Sequence, residues 1–302
     1  MTGRTSRAAA ATVAIATPRS FLGWFVMAAH STGPSGPTVC RPRYADPPAG
    51  YRRRMPDPRD LQAFLRTSAQ TGRTVVRVAP FTLTIDEHDP LRFLNYAVPD
   101  DGAEPDPGAV EALRDAFRER GRLPRLEWVE EAAPAVAPAL GEAGMAQELR
   151  TPLMACTPED LADVPAGDEV TVADVGDSDL RATAGVQRAA FGMDPLPGDE
   201  APPDPRRRGG GAVLARVNGA PAAAASWTVV LDGASEVTGV ATAEAFRRRG
   251  LAGLVTAAAA RAAFAAGARL CVLSPGNGEA QRVYARAGFR GAATMLHWSD
   301  PD

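Results

Sequence analysis

The sequence predicts an α+β protein, a mixed and mostly antiparallel sheet flanked by helices. Three observations carry this. Asn218-Gly219 and Asp232-Gly233 each sit between apolar runs, and such pairs favour two-residue hairpins, so three antiparallel strands follow one another. An alanine-rich helix over 251–266 comes next, then strand, helix and strand, which is the signature of crossover units. Hydrophobic residues make up 45% of the 302 positions, enough for a buried core in each half.

The elements follow in order. Asp57 as N-cap and Pro58 at the first helical position open a helix that Gly72 closes. TVVRVAPFTLTID reads as two short strands around Pro80, and RFLNYAVP (92–99) as a third. PDDGAEPDPG is a loop, and AVEALRDAFRER is an amphipathic helix stopped by Gly121. RLEWVEE is a strand, PAVAPALGEAG a short helix with Gly144 past its end, and ELRTPLMAC a strand. Residues 158–168 form a linker. EVTVADVG then starts a new strand, and DSDLRATAGVQRAAFG a helix with an Asp cap. Residues 193–211 are a long irregular loop of the kind that often carries function. Strands over 212–217, 220–230 and 234–242 complete the meander, and RLCVLSP, GEAQRVYARAG and FRGAATMLHW close as strand, helix and strand.

Bulk properties exclude several classes. Net charge is −3, and the clusters Arg52–Arg54, Arg206–Arg208 and Arg247–Arg249 lack interleaved aromatics, which argues against nucleic acid. Three cysteines (40, 156, 271) and three histidines (30, 88, 297) are scattered, so neither a disulfide framework nor a metal site is expected. FLGWFVMAA is too short to span a bilayer, and Arg19 interrupts the only stretch resembling a signal peptide. A cytoplasmic protein is expected, monomeric or homodimeric, without a membrane partner. Residues 1–54 read as a disordered extension, or as sequence upstream of a true start at Met55.

The two halves resemble each other. RLEWVEEAAPAVAPALGEAGM aligns without a gap on RLCVLSPGNGEAQRVYARAGF. Asn277 then falls on Ala133 and Tyr284 on Leu140, while the acidic PDDGAEPDPG stands where the second half has FRRRGLAG. Residues 55–157 thus read as a degenerate copy, structural in role, of the domain over 169–302.

FRRRGLAG is the stretch with chemistry. A helix N-terminus offers unpaired amides and partial positive charge, Gly250 and Ala252 admit close approach, and three guanidiniums add potential. Such a turn can cradle a pyrophosphate. It is not a Walker loop, for no G-K-[ST] follows, and no G-x-G-x-x-G is present.

Arg247-x-x-Gly250-x-Ala252, with Asn277, Ala280, Tyr284, Gly288 and Phe289 in the spacing N-x-x-A-x-x-x-Y-x-x-x-G-F, resembles the GNAT superfamily of N-acetyltransferases. The resemblance covers residues 169–298 and reaches the first half only as the degenerate half-repeat. It implies the GNAT acyl-CoA N-acyltransferase fold and acetyl-CoA as cosubstrate, with no metal. Backbone groups of Val240, Ala241 and Thr242 would pair with the pantetheine arm. Amides of Arg248, Arg249, Gly250, Leu251, Ala252 and Gly253 would bind the pyrophosphate, with Arg247 orienting the loop. Asn277 and Ala280 would flank the pantetheine, and Tyr284 would sit by the sulfur.

The implied reaction is direct attack by a primary amine in a ternary complex. An alkylamine with a pKa near ~10 must first lose a proton. Glu236 is the candidate base, sharing one face of an ideal strand with Thr238 and Val240; the other reading is a structural or substrate-binding carboxylate. Tyr284 is the candidate acid for the departing thiolate, or else a packing residue, and Asn277 is a ligand group or a helix-start residue. The acceptor, a small-molecule or peptide amine, would be lined by residues 177–191 and 193–208. The alternative function is a non-catalytic acyl-CoA-binding regulatory module.

Overall fold

The computed structural model describes residues 56–301; expectations for residues 1–54 lie outside the described residues. The first half runs α1 (Pro58–Gln70), β1 (Thr74–Val78), β2 (Phe81–Ile85), β3 (Tyr96–Pro99), α2 (Pro107–Arg118), β4 (Arg125–Val129), α3 (Val136–Glu142) and β5 (Ala146–Cys156). The second runs β6 (Val170–Asp174), α4 (Leu180–Ala190), β7 (Gly211–Val217), β8 (Ala220–Trp227), β9 (Ala234–Thr242), α5 (Leu251–Ala265), β10 (Leu270–Leu273), α6 (Gly278–Arg286) and β11 (Arg290–Ser299).

Local chemistry explains the boundaries. The Asp57 carboxylate accepts from Arg59 N–H at 2.9 Å and opens α1. Asn218 and Asp232 take φ of 49° and 51°, each followed by a left-handed glycine, as tight hairpins require. Three expectations need correction. Residues 92–94 form a 3-10 turn rather than strand, because the Asn95 amide donates to Asp89 and Leu91 carbonyls at 2.9 and 2.8 Å and curls the segment. Residues 228–230 leave β8, since the Thr228 hydroxyl and carbonyl are taken by Glu236 N–H and the Ser235 hydroxyl. No Asp side chain caps α4; Asp177 and Asp179 instead bind Arg206 and Arg216.

The strands form one sheet in the order β1-β2-β3-β4-β11-β5-β10-β9-β8-β7-β6. Among the described strands, only β3–β4 and β9–β10 are parallel. Each parallel pair is joined by a helix and followed by a second helix and a strand, giving β3-α2-β4-α3-β5 in one half and β9-α5-β10-α6-β11 in the other. The last strands are exchanged. β11 pairs with β4 of the first half, β5 pairs with β10 of the second, and β5 and β11 pair with each other at the centre.

Alternate residues divide the two faces. On β10, Cys271 and Leu273 pack with Val255 and Ala259 of α5, while Val272 packs with Leu61 and Phe64 of α1. Helices α2 and α3 cover Leu126 and Trp128 of β4, and α4 covers Leu214 and Ala224. So α1 and α4 share one face; α2, α3 and α5 lie on the other. Among the described residues, no helix is long and apolar enough to cross a membrane.

Candidate active site

The site begins where two parallel strands part. β9 and β10 pair from Ala234–Leu270 to Glu236–Val272. β10 ends at Leu273 while β9 continues to Thr242. The β8–β9 register also shifts between Ala224 and Ser226, opposite Gly239. Gly239 has φ +59°, its carbonyl accepts from Gln187 Nε2 at 2.9 Å, and a Cβ there would lie 2.5 Å from that nitrogen. Only glycine fits. The bulge overturns one expectation: Val240 does not share the face of Glu236 and Thr238. It packs toward the α5 core, and Ala241 takes the α4 side instead. Both arms of the parting carry a buried hydroxyl with no hydrogen-bond partner, Thr242 Oγ1 and Ser274 Oγ. Such unpaired polar groups suit a ligand that brings amides and carbonyls.

Beyond β9 the chain turns into α5. Arg248 and Gly250 both adopt left-handed φ, 65° and 78°. Among the described residues, the amides of Arg248, Arg249, Gly250, Leu251, Ala252 and Gly253 donate to no protein acceptor, and no side chain caps the helix. Successive free amides around left-handed residues at a helix N-terminus form an anion-binding concavity. Leu251 is buried and anchors the turn. α6 packs beside this turn, for a Cβ on Gly253 would sit in ordinary contact with Val283 at 3.7 Å. Arg247, Arg248 and Arg249 are all exposed. Arg249 is committed to Glu169 at 2.7 Å and lies 5.9 Å from the Phe246 ring centroid. The corresponding end of α2 is closed, because Asp106 accepts from Ala109 N–H at 2.7 Å and Asp100 and Asp101 bind Arg77 and Arg66.

Helix α6 follows β10. Asn277 Oδ1 accepts from Ala280 N–H at 2.9 Å, so its carbonyl oxygen serves as N-cap. Tyr284 is half-buried against the core that contains Leu273 and Phe289, and burial pushes its phenol up to about 12. Gly288 has φ +105°, and a Cβ there would lie 2.1 Å from the Asp160 carbonyl oxygen. Residues 158–168 therefore press directly on the turn between α6 and β11, where Ala162 N–H also reaches the Ala287 carbonyl at 3.1 Å.

Glu236 lies on the α1–α4 face in a deep cavity. It is 8% exposed and its Oε1 has no hydrogen-bond partner. Burial, reinforced by the Glu127 carboxylate and partly offset by Arg73, pushes its carboxyl up to about 8. From the second half, Leu180, Thr183, Gln187, Phe191, Trp227 and Thr238 line the cavity, with Pro203, Pro205 and Arg208 from the long loop. Helix α4 and the loop thus both contribute. Tyr284 is not among the lining residues.

The first half contributes Ser68, Thr71, Arg73, Phe93, Tyr96 and Glu127, none of which sequence reasoning placed there. Glu127 stands four strands from Glu236 in the sheet order, so the sheet must curl for both to face one cavity. Arg125 and His297 hold the buried Glu127: burial alone would raise its carboxyl, yet the cationic surroundings lower it to about 2. His297 reaches Glu127 only because β11 is exchanged into the first half. Arg73 lies 5.0 Å from the Tyr96 ring centroid.

Comparison with known proteins agrees with this geometry. The FR47-like protein family model matches residues 213–298. A GCN5-related N-acetyltransferase from Kribbella flavida is 35% identical, with 81% of this chain and 96% of that chain covered and a TM-score of 0.71. A functionally unknown conserved protein from Staphylococcus epidermidis shares the fold at 15% identity, with 76% and 94% covered and a TM-score of 0.56. A tandem GNAT protein from the clavulanic acid biosynthesis pathway shares it at 14% identity, with 74% and 79% covered and a TM-score of 0.51. No curated protein matches the chain. The open helix end, the parted strands and the close relative together show that this chain belongs to the GCN5-related N-acetyltransferase superfamily.

Proposed function

We propose that the protein is an acetyl-CoA-dependent N-acetyltransferase that acetylates a primary amine by direct attack in a ternary complex. The observation that carries this is the position of Glu236. It is buried, has a partnerless oxygen, and stands at the last paired residue before β9 and β10 part.

The residues present fit the cosubstrate. The free amides from Arg248 to Gly253 suit its pyrophosphate, while the Thr242 and Ser274 hydroxyls and the β9 backbone at Val240–Thr242 suit an amide-bearing arm. Asn277 retains its Nδ2 for the same arm after Oδ1 has capped Ala280. When bound, acetyl-CoA supplies an activated thioester. The chain supplies proton management. Glu236, ionised above about pH 8, accepts a proton from the incoming ammonium at its free Oε1. Tyr284 keeps its proton until about pH 12 and can deliver it to a leaving thiolate. Cavity walls of Phe191, Trp227 and Leu180 exclude water around the amine.

In the same reading, residues 169–302 form the catalytic domain, 158–168 the linker, and 55–157 a degenerate copy. The shared strand–helix order and the Asp106-capped end of α2 support that division. Calorimetric titration with acetyl-CoA, followed by thiol release with pooled primary amines, tests the proposal. Binding followed by amine-dependent release is expected. Failure to bind acetyl-CoA would overturn it, and binding without turnover across a broad panel would leave a regulatory acyl-CoA module.

A further inference from the structure

Resting on the acetyltransferase reading, the geometry points to the class of acceptor: we infer that it is an amine that also carries a carboxylate, an amino acid or a close analogue, with Arg208 holding the carboxylate.

The three arginines of the PRRR turn have different fates. Arg206 is tied to Asp204 and Asp177, and Arg207 is exposed with Asp204 at 4.0 Å. Arg208 is half-buried, lines the deep cavity, and makes no hydrogen bond or ion pair with any described residue. Its guanidinium lies over Gly72, where a Cβ would meet Cζ at 3.6 Å. Arg208 also lines a second cavity with Asp86 and Glu87, neither of which reaches it as an ion pair, and its planar donors match a carboxylate. Arg73, which also lines the cavity, adds positive potential on the same side.

Glu236 supplies the opposite character. Its partnerless oxygen lines the same cavity, with Glu127 nearby. A cavity that offers both a guanidinium and, above about pH 8, the Glu236 carboxylate is complementary to a zwitterion. A simple amine would satisfy Glu236 and leave Arg208 unpaired. The aromatic walls, Phe93, Tyr96, Phe191 and Trp227, suit an apolar side chain beside the two charged groups. The first half therefore helps to choose the acceptor, through Phe93, Tyr96 and Arg73.

Thiol release is measured with acetyl-CoA and matched pairs, each an α-amino acid and its decarboxylated amine, such as phenylalanine and phenethylamine. The amino acids are expected to show kcat/KM roughly 10- to 100-fold above their amines, as a charge-assisted hydrogen bond provides. Arg208→Gln should collapse that ratio toward one, mainly through KM, whereas Arg207→Gln should leave it intact. Thermal melting of each variant confirms folding. Amines equal to or better than their amino acids, or an unchanged ratio in R208Q, would overturn the inference. Acetyl-CoA binding measured by calorimetry separates the two failures: bound cosubstrate with no preference for carboxylates sinks only the acceptor class. Absence of binding sinks the acetyltransferase reading and this inference with it.

Discussion

Replacing Glu236 with glutamine should make the protein more stable, and by an amount that depends on pH. The carboxyl ionises near 4.5 in an unfolded chain and near about 8 in the fold. Between those values the native state holds a proton that the unfolded state has released. Stability therefore falls as pH rises across that window. At 1.36 kcal/mol per pH unit, the full gap corresponds to a penalty of ~5 kcal/mol above pH 8, and of roughly 3 kcal/mol at pH 7. Glutamine mimics the protonated acid in shape and sacrifices no hydrogen bond at Oε1, which has none. Urea denaturation of wild type and E236Q at pH 4, 5.5, 7 and 8.5 should give curves that coincide at pH 4 and separate steadily above it. Relaxation around the ionised group brings the measured gap below the ceiling. A difference that is constant with pH, or that favours wild type at pH 8.5, would refute the claim that this carboxyl is kept protonated by its burial. On the proposed mechanism the same variant should also lose most of its acetyltransferase activity.

Three further substitutions probe Tyr284 and the linker contact at Gly288. Tyr284→Phe should lower kcat by roughly 10²–10⁴-fold while calorimetry shows little change in acetyl-CoA affinity, because the hydroxyl is asked only to give up a proton. Gly288→Ala should cost on the order of 2–4 kcal/mol by urea denaturation, since its Cβ would strike the Asp160 carbonyl at 2.1 Å. Gly144→Ala, also at positive φ but with nothing within 4 Å, should cost only about 1–2 kcal/mol. Equal losses at the two glycines would refute the linker's close approach.

Much of this was legible in the residues. Asn-Gly and Asp-Gly fixed the hairpins because those turns demand left-handed backbone, and Pro58, Gly144 and Gly288 marked helix ends for equally local reasons. The cradle was legible because its parts are contiguous. What escaped the sequence were relations between distant strands. The bulge at Gly239 moved Val240 to the other face, and nothing in the alternation of ASEVTGVAT announces it. Arg73, Tyr96 and Glu127 joined the cavity because the sheet curls, a long-range property with no local signature. Arg208 looked like one of three equal arginines until its neighbours' partners were known. The acidic PDDGAEPDPG carries Asp106, whose carboxylate closes the end of α2, while giving no hint that the same half lines the Glu236 cavity.

The exchange of β5 and β11 ties together strands that are far apart in the chain. The β4 edge acquires its neighbour only when Arg290–Ser299 has been synthesised, more than 150 residues later. Until then its unpaired backbone is a template for any passing strand. Contacts of such large sequence separation slow folding. Either half excised alone would expose strand edges that the exchanged strands cover in the whole sheet. Separating the two halves would break the His297–Glu127 contact and remove one wall of the Glu236 cavity.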